Sequence, residues 1–276
     1  MRIEQVAPPA AVAQWSPGRP YLDCELQSGL ATDAWQATDD DGVIIGVGFA
    51  TRASNWRPTP WLTVLGPVAA TVAMVRTAID HQPEITGCTV PRMAHDAVRE
   101  SLALQGVDWG GPDNGAPWVW WWTDTEPEVL PGEDSVVDLD TSNAEIAESV
   151  KALLDVASPT HWAPPGHPAV VRWMGQVVDG QVIACAAETQ RIAGRPHLAS
   201  VATHPNFRRA GRAQAVCATL TRQIISEQRQ RGAEPLVSLG MHYDNSAARG
   251  VYLRLGYHAD YEWFSSGFAS MPASAR

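Results

Sequence analysis

The chain has 276 residues, 45% of them hydrophobic and 18% charged, with a formal net charge of −10. This composition suits one large or two medium globular domains. The acidity argues against a general nucleic-acid binder, which needs positive charge to displace phosphate counterions.

Residues 1–15 lack a basic start followed by an apolar core, so no signal peptide is expected. The most apolar stretch, "WLTVLGPVAATVAMV", is interrupted by Gly66-Pro67 and falls short of the roughly 20 residues of a bilayer span. The expectation is a soluble, cytoplasmic protein with no membrane partner. Cys24, Cys88, Cys185 and Cys217 are far apart, which predicts buried reduced thiols rather than a disulfide framework or a metal site.

In chain order, "DDDGVIIGVGFAT" (39–51) reads as a strand behind an Asp41-Gly42 turn. "WLTVLGP" is a strand, "VAATVAMVRTAID" a helix, "ITGCTV" a strand and "AHDAVRESLALQG" a helix ending in glycine. "APWVWWWT" is a strand whose alternation puts Trp118, Trp120 and Trp122 on one face and Trp121 on the other, a pattern that suits burial at a domain interface. The segment 123–143 has seven acids, no base and two prolines, which predicts an exposed connection. It includes a short strand at "SVVDLD". Thr141, Ser142 or Asn143 then caps a helix carrying Ile146, Val150 and Leu153. A domain boundary is expected near 130, giving domains 1–130 and 131–276.

The proline-rich "PTHWAPPGHPAV" cannot be one helix. Two strands flank Asp179-Gly180, a third is "RPHLASVAT", and Ala213, Val216, Leu220 and Ile224 give a helix from Gly211 to about Gln230. "PLVSLGM" is a buried strand, "NSAARGVYLRLG" a helix and "YHADYEWF" a closing strand. Residues 39–51 match 177–189, with Gly42 against Gly180, Ile45 against Ile183 and Thr51 against Thr189. The span from Gly42 to Gly106 is about a dozen residues shorter than that from Gly180 to Gly256. This predicts a repeat whose first copy lacks the segment equivalent to "PNFRRAGRA" and the first turns of the following helix.

No acid occurs between Glu188 and Glu227, while Arg191, Arg195, Arg208, Arg209, Arg212 and Arg222 do. The arginines cluster where a strand turns into a helix. Helix N-termini present unpartnered N–H groups and a positive dipole end, so this point suits a phosphate. Gly211 is expected to allow close backbone approach, with Ala213 keeping the next turn small.

"RRAGRA" (208–213) resembles the Arg/Gln-x-x-Gly-x-Gly/Ala acyl-CoA loop of the GNAT superfamily of N-acyltransferases. "NSAARGVYLRLGY" (245–257) is similar to that superfamily's Asn-x-x-Ala-x-x-x-Tyr-x-x-x-Gly-aromatic segment. The resemblance covers roughly 135–268. It implies an α/β (α+β) fold of tandem GNAT-like domains, each a mixed, mostly antiparallel central sheet flanked by helices. The first domain is degenerate and lacks the phosphate loop; the second is the N-acyltransferase, using acetyl-CoA or another acyl-CoA as co-substrate and no metal.

By the same resemblance, main-chain groups of Val201, Ala202 and Thr203 pair with the pantetheine amides. Arg208, Arg209, Ala210, Gly211, Arg212, Ala213 and Gln214 cradle the diphosphate. Asn245 contacts the pantetheine or orients its helix, and Tyr252 is the general acid. The family's fifth-strand glutamate is absent, since Gly240 stands there. His197 is therefore the first candidate for general base and Glu188 the second, with water as a third route. His161, Trp162 and His167 fall where the acceptor pocket is bordered. The expected acceptor is a small-molecule or peptide amine, and the protein a monomer or homodimer. A non-catalytic acyl-CoA sensor stays open as an alternative, as does a nucleotide-binding α/β protein, although no Gly-x-x-x-x-Gly-Lys occurs.

Overall fold

A computed structural model describes residues 1–8, 20–25, 31–54, 58–111, 114–191 and 194–269. Two units emerge. The first comprises the described residues of 1–120, 242–244 and 261–276, and the second those of 121–241 and 245–260.

The first unit contains strands β1 (Arg2–Val6), β2 (Ala31–Thr38), β3 (Ile44–Thr51), β4 (Trp61–Leu65), β5 (Gly87–Pro91) and β6 (Asp108–Trp109). Its helices are α1 (Pro20–Glu25), α2 (Val68–His81) and α3 (His95–Ala103). Strands β1 to β5 lie in order, and residues Trp263 to Gly267 of the last strand, β13 (His258–Ala269), pair antiparallel with β5, from Trp263–Pro91 to Gly267–Gly87. Strands β4 and β5 are parallel, as a strand–helix–strand crossover through α2 requires. Trp35, Leu62, Val64, Met74, Leu102, Trp109 and Phe264 belong to one buried cluster.

The second unit runs β8 (Val137–Asp138), α4 (Ala144–Ala157), β9 (Val170–Val178), β10 (Gln181–Gln190), β11 (Pro196–Thr203), α5 (Arg212–Gln230), β12 (Val237–His242) and α6 (Ser246–Arg254). Its strand order is β12-β11-β10-β9-β8, with only β11 and β12 parallel. The strand β7 (Ala116–Thr123) passes from the first unit into the second after Trp120.

Local sequence accounts for these elements. Asp179 and Gly180 both have positive φ, 49° and 77°, the left-handed pair that a two-residue hairpin turn demands. The turn at 39–43 reaches the same end differently, with the Asp39 side chain accepting from the amides of Asp41 and Val43. Strand β10 is buried throughout except at its two ends, which explains its unalternating apolar run. Asn143 caps α4 by accepting from the Glu145 amide at 2.9 Å.

The repeat holds in structure. Each unit has a hairpin, a third antiparallel strand, then a helix leading to a parallel fourth strand. In each, the helix after that strand ends in the same glycine cap. Gly106 and Gly256 have φ 74° and 79°. Val107 N–H donates to Leu102 O and Tyr257 N–H to Tyr252 O, both at 3.0 Å, the six-to-one bond of a Schellman motif. Leu102 thus occupies the position of Tyr252, so the first copy keeps the cap and lacks the phenol.

The copies differ between their parallel strands. In the first, Gly66-Pro67 alone connects β4 to the 14-residue α2. In the second, residues 204–211 precede a 19-residue α5. The short connection is closely packed: a Cβ on Gly66 would lie 3.0 Å from Gly46 Cα, and one on Gly46 2.8 Å from Met74 Cε.

Among the described residues no helix is long and apolar enough to cross a membrane. Nor does any group of three or more His, Cys, Asp or Glu there suit a metal ion. All four cysteines are buried and outside any disulfide.

Candidate active site

Most of the sequence-predicted residues lie on β11 and the turn that leads from it into α5. Among the described residues, strands β11 and β12 pair at His197–Ser238 and Leu198–Leu239, and residues 199–203 have no partner on that side. On the other side, Ala199 pairs with Ala187 and Ala202 with Cys185, so β11 carries one extra residue. Ser200 has φ +50° and sits at this bulge, just past the last β11–β12 pair. The fourth strand of the first unit, β4, pairs with β3 without any such shift.

Beyond β11, Pro205–Phe207 form a 3₁₀ turn whose cap is His204, with Nδ1 accepting from the Asn206 amide at 3.3 Å. Arg208 is extended and its Nε donates to Thr203 O at 3.2 Å. Arg209 then takes φ 64° and Gly211 φ 72°. A Cβ on Gly211 would meet no atom of the chain within 4 Å, and the φ of 72° is one that glycine adopts without penalty. The first α-helical bond recorded is Ala215 N–H to Gly211 O at 2.9 Å, so the amides of Arg212, Ala213 and Gln214 have no intrahelical partner. Left-handed residues followed by a helix start aim successive N–H groups into one concavity, the geometry of an anion site. Thr203 Oγ1, at its edge, is buried without a hydrogen-bond partner among the described residues. These residues fit a diphosphate.

The arginine island divides on inspection. Arg222 is neutralised by Glu133 at 2.7 and 3.1 Å and donates to the carbonyls of Pro127 and Glu128. Arg212 Nη1 donates to Gln176 Oε1 at 3.0 Å, and its guanidinium lies 5.4 Å from the Phe207 ring centre. Arg195 donates to Glu234 O, and Arg191 is buried. Arg208 and Arg209 remain exposed at the turn, with no ion pair to an acid among the described residues. The acidic segment 123–143 is therefore only partly an exposed connection: Glu126 and Glu133 hold it against α5 through Arg229 and Arg222.

Asn245 accepts from the Ala248 amide at 3.0 Å and caps α6. Tyr252 is buried with its ring centre 5.8 Å from that of Tyr257, the contact between the first and last residues of the Schellman cap. Burial, with Cys217 nearby, drives the Tyr252 pKa far upward. The Cys217 thiol is itself pushed up by burial to about 12. Tyr257 is fixed by a 2.7 Å hydrogen bond shared with Thr221.

His197 and Glu188 occupy opposite faces of the sheet. Thr189 lies opposite His197, and Glu188 lies opposite Leu198. His197 is buried, and its Nδ1 shares a 2.8 Å hydrogen bond with Ser238 Oγ. Burial, then the Arg191 charge, lower its pKa well below the ordinary value, so the ring is neutral. Glu188 faces Arg172 at 2.7 Å, an ion pair too poorly aligned to be a hydrogen bond, and Arg172 reaches Glu227 of α5 at 2.5 Å. Burial raises the Glu188 carboxyl, and Arg172 offsets only part of that.

The proline-rich segment 158–169 is ordered by short turns. His161 Nδ1 and Ser158 O lie 2.8 Å apart, and Trp162 meets His167 edge to face at 4.9 Å. Ser200, the bulge residue, donates through Oγ to Ala163 O in that segment at 2.7 Å. Sequence reasoning missed Ser200, since a serine inside an apolar strand gives no hint of an extra residue in the register. It also missed Ser238 and Gln176, whose roles come from partners distant in sequence.

The family model described as FR47-like protein matches residues 175–264, a range that includes β11, the turn, α5 and α6. No curated protein matches the chain. Among solved structures, a GNAT-family putative acetyltransferase from Novosphingobium aromaticivorans is 16% identical, with 92% of this chain and 98% of that one covered at a TM-score of 0.50. A GCN5-related N-acetyltransferase from Kribbella flavida is 19% identical, with 98% of both chains covered at 0.50. A Drosophila protein is 14% identical, with 85% and 78% covered at 0.55. At such identities the likeness is one of fold. The chain has the fold of the GNAT superfamily.

Proposed function

We propose that residues 131–276 form an N-acyltransferase domain that moves an acetyl or other acyl group from acyl-CoA to an amine by direct attack in a ternary complex. The observation that carries this reading is the bulged, unpaired edge of β11 running straight into a turn of exposed amides beside Arg208 and Arg209. On this reading, main-chain groups of Val201, Ala202 and Thr203 pair with the pantetheine amides as an added strand would. The amides of Arg209 to Gln214 take the diphosphate. Asn245 orients α6 as its cap. The first 130 residues, lacking turn and phenol, hold no acyl-CoA and serve as scaffold or acceptor wall.

In the reaction the amine nitrogen forms a bond to the acyl carbon, and the carbon–sulfur bond breaks. Tyr252 gives its proton to the departing thiolate; its raised pKa keeps the hydroxyl protonated across the working range, so it donates as charge builds on sulfur. The amine's proton leaves through water; His197, held by Ser238, is the first side-chain candidate to receive it, against the burial and Arg191 charge that oppose its protonation. Glu188, tied to Arg172 on the opposite face, is the weaker candidate. A sensor that binds acyl-CoA without transfer is the second reading, favoured by the burial of both Tyr252 and His197.

Release of the coenzyme A thiol from acetyl-CoA in the presence of small and peptide amines separates the two. Turnover by the wild type is expected, with Tyr252→Phe slowed on the order of 100-fold and coenzyme A affinity nearly unchanged. Equal rates would return Tyr252 to a packing role. Coenzyme A binding with no transfer to any amine would favour the sensor.

A further inference from the structure

We propose that Ser200 is a positioning residue that bolts segment 158–169 onto the bulge of β11, so that coenzyme A on the β11 edge stiffens that segment. The second clause rests on the acyl-CoA reading above; the first does not. Ser200 holds φ +50°, a left-handed conformation that glycine adopts without penalty and serine does not. What serine adds there is a hydroxyl. Its Oγ donates to Ala163 O at 2.7 Å, in a buried bond that joins positions 37 apart in sequence. From the far side, Cys185 Sγ donates to Ser200 O at 3.6 Å.

Ala163 is fully buried, and it is followed by Pro164 and Pro165. Prolines fix φ and offer no amide; the main-chain bond that ties this stretch to a strand among the described residues is Gln190 N–H to Ala169 O at 2.9 Å, at its far end. The recorded backbone bonds of His161 and His167 are local, to Ser158 O and Pro164 O. One side-chain bond therefore links a stiff segment to the bulge residue at the cofactor edge.

Hydrogen exchange at the His161, His167 and Ala169 amides, with and without coenzyme A, tests this in the wild type, Ser200→Ala and Ser200→Gly. Alanine removes the hydroxyl at constant backbone. Glycine also relaxes the dihedral and guards against misfolding, and melting temperature checks both. Exchange should be roughly 3- to 10-fold faster in both variants, and coenzyme A should slow it only in the wild type. Calorimetric coenzyme A affinity should stay within about threefold. Equal exchange in all three proteins would overturn the bolt. Faster exchange in the variants with an unchanged response to coenzyme A would overturn the coupling. A wild type that fails to bind coenzyme A would remove the acyl-CoA reading and with it the coupling, while the ligand-free comparison would still judge the bolt.

Discussion

His197 is 4% exposed, with Nδ1 on the Ser238 hydroxyl and the Arg191 charge nearby. Burial and that cation depress its folded-state pKa below the unfolded value of 6.5. The unfolded chain therefore binds a proton that the folded chain refuses. Stability from this residue is fully present above about pH 6.5 and is lost as pH falls toward the folded pKa, by up to ~1.4 kcal/mol per pH unit. Urea unfolding at pH 7.5 and 5.5 should show that loss, and His197→Asn should shrink it. His167, also lowered by burial, adds a share of the same sign that remains. A pH dependence unaltered by the substitution would mean that His197 does not stay neutral in the fold. At this scale the sequence was readable for Asn245, whose capping duty suits its residue type; Gly211, read for close approach, takes a left-handed φ that the reading did not anticipate. It was mute on Ser200, because a bulge is a property of two strands in register, and ambiguous on Tyr252, because its motif spacing also serves a helix cap.

Helix α5 shows how an element can be legible while its surroundings are not. The spacing of Val216, Leu220 and Ile224 predicts the buried stripe, which the fold widens to include Cys217, Thr221, Ile225 and Gln228; Ala213 is only half-buried. The charges read differently in three dimensions. A run of arginines without local acids suggested one positive island, yet Arg222 is matched by Glu133 from 89 positions earlier. Burial pushes the Glu133 carboxyl up, but hydrogen bonds from Arg222, the Leu130 amide and Thr219 outweigh it, and the net shift is downward. Its contribution is therefore present above the ordinary carboxylate value of 4.5 and fades as pH falls. Glu133→Ala should cost roughly 1–3 kcal/mol at pH 7, read as a lowered denaturation midpoint. A change below about 0.5 kcal/mol would place the clasp among inconsequential surface pairs.

Over the whole chain, the strand and helix order of both copies was legible from alternation, helical spacing and glycine punctuation, and the repeat from the two Asp-Gly turns. Strands β1, β2 and β6 and helix α1 were not anticipated: β1, β6 and α1 are short, and β2 owes its place to pairing with β1 and β3 rather than to local pattern. The copies diverge where sequence length predicts, between β4 or β11 and the helix that follows it. The physical content of that divergence, a bulge and two left-handed residues against a tightly packed Gly66-Pro67 link, needed coordinates.

The most direct test is diffraction from crystals grown with coenzyme A. The diphosphate should sit with its oxygens about 2.7–3.2 Å from the amides of Arg209 to Gln214, and the pantetheine should lie along residues 201–203. Density for coenzyme A elsewhere on the chain, or none at that turn, would contradict the account.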